Sequence, residues 1–162
     1  MVNSMGQQLH ISRAAVWKAV KKLIQYGVAI KSIKGKGYIL EEPFLLLDVA
    51  QIKQQLPPAY AALPIQLFEH LHSTNDYLQQ TIDPAESVTI CLTELQTQGK
   101  GRMNRLWHSP FGKNVYLSLS HRFAKDISEL SGLSLIMGLA VAQTIDRLTP
   151  SMTDPSTVKW PE

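Results

Sequence analysis

Gly99-Lys100-Gly101-Arg102-Met103-Asn104-Arg105-Leu106-Trp107 leads, one residue later, into Ser109-Pro110-Phe111-Gly112. Three cations and two glycines stand within seven residues, between strand-like runs at 88–93 and 114–120. Glycine lets a backbone approach an anion closely or adopt φ > 0. Interleaved Lys and Arg supply charge-assisted hydrogen bonds to carboxylate or phosphate. Taken alone, the pattern fits an anion-binding loop and a solvated surface loop equally well.

Charge separates the start of the chain from the rest. Residues 1–40 carry seven Lys and Arg and no Asp or Glu, although the whole chain is only +3. A basic module joined to a mildly acidic remainder points to a nucleic-acid contact confined to the first part. Ser12 is a good N-cap for a helix through Tyr26. Val16, Val20, Leu23 and Ile24 form its apolar stripe, and Gly27 follows as terminator. A shorter helix at about 4–9 and a tight turn at His10-Ile11 precede it. This is a helix-turn-helix with residues 12–26 as the recognition helix. Strands at 28–33 and 38–40 around Lys34-Gly35-Lys36-Gly37 read as a hairpin, the wing. The candidate DNA contacts are Ser12, Arg13, Trp17, Lys18, Lys21, Lys34 and Lys36, with Trp17 equally suited to helix packing. The winged helix is expected to lack its first helix.

Glu41-Glu42-Pro43 reads as a linker, dividing the chain into modules 1–43 and 44–162. Beyond it, Asp48 caps a helix through Leu56, ended by Pro57-Pro58. A strand at 65–68 is followed by Ser73, which caps a helix starting Thr74-Asn75-Asp76. In the strand at 114–120, Val115, Leu117 and Leu119 alternate with Tyr116 and Ser118, so at least one face is buried. A long helix is expected at 128–148 with an inner stripe of Leu133, Ile136, Met137, Ala140, Val141 and Ile145. The apolar run at 133–142 is too short to span a bilayer, no secretory leader opens the sequence, and no membrane partner is expected. Cys91, the single cysteine, is expected as a buried thiol in a cytoplasmic protein.

The loop at 99–107 resembles the ligand loop of biotin protein ligases, usually G-R-G-R-x-G-R-x-W. Ser73-Thr74-Asn75, the run 110–118 and Val158-Lys159-Trp160-Pro161 fall in the family's order. The N-terminal module is similar to that of the subgroup that also represses biotin synthesis. The resemblance implies an α+β chain, with a winged helix-turn-helix followed by a class II synthetase-like α/β ligase domain. It implies two steps. Biotin carboxylate attacks the α-phosphorus of ATP, releasing pyrophosphate, and a carrier-protein lysine then attacks the mixed anhydride. Ser73, Thr74, Asn75, Gln96, Lys100, Gly101 and Arg102 would bind biotin. Arg102, Arg105 and Trp107 would bind the adenylate, and Arg102 and Arg105 would act in catalysis. Mg²⁺, biotin carboxyl carrier protein, operator DNA and a ligand-bound homodimer are the implied metal and partners; no protein metal ligand is assigned. Lys100 and Asn104 stand where the family has Arg and Gly. The family motif continues past Lys-Trp-Pro with Asn-Asp and a further lysine, so the ligase domain is expected to be incomplete and the 162-residue chain weak or inactive. A lipoate-ligase-like enzyme, a DNA-binding regulator without ligase activity, and a non-functional fragment stay open as alternatives. The winged helix and the loop weigh against the first of them.

Overall fold

The structure, a computed structural model, describes residues 6–81, 83, 87–101, 103, 105–124 and 126–149. Arg102, Asn104 and the Val158–Pro161 motif lie outside them. The chain divides into two compact units, Met1–Arg122 and Phe123–Glu162.

The first unit opens on a helical turn at 6–8. Ile11 N donates to Gly6 O at 2.9 Å, and His10 takes φ 53° in the tight turn that follows. A Cβ on Gly6 would lie 2.9 Å from Ile11 O, so only glycine fits. Helix α1 (Arg13–Gln25) starts where Ser12 Oγ accepts from Ala15 N. It ends in a Schellman motif, with Val28 N bonded to Leu23 O, Gly27 N to Ile24 O, and Gly27 at φ 87°. Val16 is buried, whereas Ile24 is half exposed, so the expected apolar stripe is only partly covered. Strands β1 (Ile30–Ile33) and β2 (Gly37–Leu40) pair antiparallel, forming the expected hairpin.

Asp48 caps α2 (Val49–Gln55) by accepting from Gln51 N at 2.9 Å. Pro57 and Pro58 end it but also start a short helix, α3 (Pro58–Ala61), that the sequence reading did not foresee. Strand β3 (Ile65–Phe68), α4 (Thr74–Thr81) and β4 (Val88–Thr93) form a β-α-β unit, with β3 and β4 parallel. Strand β5 (Tyr116–His121) adds antiparallel to the other edge of β4, giving the order β3-β4-β5. Cys91, Leu92, Leu78, Phe111 and Tyr116 form the buried core. Phe68 and Tyr77 meet edge-on with centroids 4.7 Å apart.

Strand β5 begins two residues later than predicted, and its one covered side is the one that carries Tyr116, Ser118 and Ser120. Leu117 and Leu119 are half exposed. The polar side turns inward because its hydroxyls are all bonded: Tyr116 Oη donates to Pro110 O, Ser118 meets Thr74, and Ser120 Oγ donates to Thr89 O.

The second unit corrects an expectation. The helix expected at 128–148 is two pieces, a 3₁₀ turn (Ile127–Leu130) and α5 (Leu133–Leu148), broken at Gly132 with φ 90°. Asp126 and Glu129 form a capping box on the turn. Within its own unit, no residue of α5 is buried among the described residues. The segment Ser128–Leu148, with mean hydropathy 1.3, is long and apolar enough by composition to cross a membrane. The break leaves a 16-residue helix of about 24 Å, short of the roughly 30 Å hydrocarbon core.

Burial pushes the Cys91 thiol up from 9.0 to about 11. At pH 8 the folded chain should therefore hold about a hundredfold less thiolate than the unfolded chain. Between these values the unfolded chain binds fewer protons, so this group's contribution to stability falls as pH rises. Labelling with a disulfide reagent at pH 8 should be at least that much slower in buffer than in urea. Equal rates would show that β4 is not packed.

Candidate functional site

Four backbone hydrogen bonds carry the parallel β3–β4 pairing past the strand ends. Leu71 N donates to Leu95 O, Thr97 N to Leu71 O, Gln98 N to His72 O and Glu94 N to Phe68 O, all within 3.1 Å. They bring the start of α4 beside Gln96. Gln96 Oε1 accepts from Thr74 N at 2.9 Å and from Thr74 Oγ1 at 3.2 Å. Thr74 Oγ1 also lies 2.8 Å from Ser118 Oγ on β5. Ser73 caps α4, its Oγ accepting from Asp76 N at 3.2 Å. Ser73 and Thr74 are buried and Asn75 is exposed beside them. Thus Thr74 meets Gln96, with Ser73 and Asn75 on either side of it in the chain.

Ser118 is a member the sequence reading missed. Its signal was a polar residue alternating with leucines on a strand, a pattern that shows two unlike faces without saying which is covered.

The loop is a small hairpin. Lys100 and Leu106 form an antiparallel bridge, Gly101 N donates to Arg105 O at 2.8 Å, and Trp107 N to Gly99 O at 2.9 Å. Gly99 is closely packed, and neither it nor Gly101 has positive φ. A Cβ on Gly99 would stand 3.0 Å from Gln96 Nε2, 3.1 Å from Trp107 Cβ and 3.2 Å from Ser109 Oγ. The left-handed backbone falls on Met103, at φ 57°. Lys100 Nζ pairs with Asp76 Oδ2 at 2.8 Å, joining the hairpin to the first turn of α4. Arg105 and Trp107 are exposed on the hairpin. Arg102, the expected catalytic cation, lies outside the described residues.

A second candidate surface lies on the N-terminal module. Arg13, Ala14 and Trp17 of α1 face Ser32 through Tyr38 of the hairpin across a groove of about 910 Å³. Of the candidate DNA contacts, Arg13, Trp17, Lys34 and Lys36 line it. Lys18 and Lys21 are exposed outside that lining, with Lys21 Nζ 5.0 Å from the Trp17 ring centroid. Ser12 serves as the helix cap.

The linker joins both surfaces. Phe111 is buried between Tyr26 and Phe44, with centroids 5.3 and 5.6 Å away. Leu47 N donates to the Glu94 carboxylate at 2.6 Å. Lys22 pairs with Glu69 at 3.0 Å and Lys113 with Glu42. These partners raise the Lys22 pKa and lower that of Glu42.

The sequence pattern of an HTH domain family matches residues 2–39. The chain is 39% identical over 158 residues to the bifunctional ligase/repressor BirA of Salmonella typhimurium, and equally to that of Escherichia coli. Each match takes in 97% of this chain and 47% of the relative, so the chain spans about half the length of the curated relatives it matches. Among solved structures, the biotin protein ligase from Leishmania major in complex with biotin matches at 26% identity and TM-score 0.47, over 57% of this chain and 35% of that one. The pattern of the biotin/lipoate A/B protein ligase family matches residues 67–162, which take in β4, β5, Gln96 and the hairpin loop, and the chain belongs to that family.

Proposed function

We propose that this protein is a cytoplasmic biotin protein ligase and biotin-responsive repressor, with a DNA-binding module at 1–43 and a ligase module at 44–162. The observation that carries the ligase reading is the bonded set Gln96–Thr74–Ser118, with the cationic hairpin beside it. Hydroxyl and amide groups at a helix start suit a neutral, polar ring such as the ureido group of biotin. Ser73, Thr74, Asn75 and Gln96 would hold that ring, and Lys100, Gly101 and Arg102 the carboxylate end. Arg102 and Arg105 would offset charge developing at the α-phosphorus as pyrophosphate leaves. Trp107 would cover the adenylate and keep water from the mixed anhydride until a carrier-protein lysine attacks it. Mg²⁺ in this reading arrives on the triphosphate, which requires no protein cage. Among the described residues no group of three His, Cys, Asp or Glu side chains stands together. A homodimer in the ligand-bound state completes the proposal.

Calorimetric titration with biotin tests the ligase reading. Thr74→Val keeps the shape but leaves Ser118 Oγ without its partner. Loss of such a buried hydrogen bond costs about 1–3 kcal/mol, so affinity should fall about fivefold or more if the bond supports the bound geometry. Unchanged affinity would remove Thr74 from the site, and no binding by the parent chain would remove biotin.

The DNA reading rests on the basic groove between α1 and the hairpin. Duplex affinity should fall with salt at a log–log slope of about −0.9 per phosphate neutralised. Replacing Lys34 and Lys36 together by Ala should flatten the slope by about 1.8. Binding that ignores salt, or a slope unmoved by the double substitution, would sink the assignment.

A further inference from the structure

The first cation of the hairpin is already paired. Lys100 Nζ lies 2.8 Å from Asp76 Oδ2, and both side chains keep solvent access, at 58% and 34%. Asp76 does not owe its place to this pair, because its backbone amide donates separately to Ser73 Oγ. Lys100 is likewise placed by its backbone bridge to Leu106. The pair is therefore an added link between the loop and the start of α4. It sets a carboxylate on the same ammonium that an anionic ligand needs.

We propose that Asp76 is an internal stand-in for the ligand's anion. It holds Lys100, and with it the hairpin, against α4 while no anion is bound, and it yields Lys100 to an incoming carboxylate or phosphate. Like charges brought to one ammonium oppose each other, so the entering anion competes with Asp76. The contact thereby acts as a latch that lowers affinity for charged ligands and leaves neutral ones of the same shape unaffected. Exposed pairs of this kind shift an equilibrium by about two- to fivefold. The proposal rests on the biotin reading above for its choice of ligand.

The test uses the 162-residue chain with its Asp76→Asn and Asp76→Glu variants. Limiting trypsin digestion without ligand is followed by mass spectrometry for cleavage after Lys100. Calorimetry then compares biotin with neutral biotinamide. Asp76→Asn should be cleaved about two- to fivefold faster, and Asp76→Glu, which restores the charge, should match the parent. Biotin should bind Asp76→Asn more tightly by a similar factor, with biotinamide unchanged. Equal cleavage of the parent and Asp76→Asn overturns the latch. So does an Asp76→Glu variant as fast as Asp76→Asn, or an equal affinity change for both ligands, since each assigns the effect to packing of α4. If neither compound binds the parent, the biotin reading falls, and the cleavage rates alone decide the latch.

Discussion

Strand β4 is paired on both edges, and the larger unit hangs on that constraint. Its Cys91 and Thr93 are the fully buried side chains among the described residues. Thr93 has a hydroxyl to satisfy there, and it donates to Phe68 O and Leu95 O at 3.1 Å each. A central strand satisfies its backbone polar groups on both sides, so its register is fixed by two neighbours at once. The parallel side delivers Ser73 and Thr74 to Gln96 through the Leu71–Gln96 bridge. The antiparallel side sets Cys91 opposite Ser118. A slip of one residue in β5 would turn Ser118 to the far face and leave Thr74 Oγ1 without it.

Much of this was legible in the sequence because the signals are local. Ser12, Asp48 and Ser73 each cap the helix that follows, and Gly27 ends α1 in the motif its position implies. Strands β3 and β4 fall on their predicted residues. What stayed hidden depends on contacts far apart in the chain. Alternation in β5 shows that its two faces differ, but it cannot say which is covered. The polar face won because Thr74, Thr89 and Pro110 supply partners for its hydroxyls. Gly132 lies inside the run expected as one helix, and its positive φ breaks that run. The Asp76–Lys100 pair spans 24 residues and has no signature in either local pattern.

The hairpin shows how composition misleads about mechanism. Its glycines suggested left-handed backbone, yet the positive φ sits on Met103. At Gly99 the tight feature is space, since a Cβ there would stand 3.0–3.2 Å from side-chain atoms of Gln96, Trp107 and Ser109. A methyl group there would push apart the residue that receives Thr74 and the strand that carries Trp107. The loop's glycine thus sets the spacing between the polar end of the site and its cationic end.

The same end of β4 also holds the segment just after the linker. Glu94 stands two residues before Gln96, with its carboxylate bonded to Leu47 N and its carbonyl to Gly112 N. A buried carboxylate is costly unless it is hydrogen-bonded, so Leu47 cannot leave without stranding it. Gly112, at φ 61°, has no room for a Cβ, which would lie 2.6 Å from the Phe44 ring. Phe44 therefore packs against the turn that follows the hairpin, and Phe111 of that turn meets Tyr26 at the end of α1. Aromatic pairs of this kind contribute about 0.5–1.5 kcal/mol each beyond their buried area. Movement of the 109–113 turn must therefore disturb either the Glu94 bond or the aromatic stack. The winged helix and the ligand loop are mechanically tied through two residues just past the end of β4, Glu94 and Gln96, the first bonded to Leu47 and the second to the start of α4.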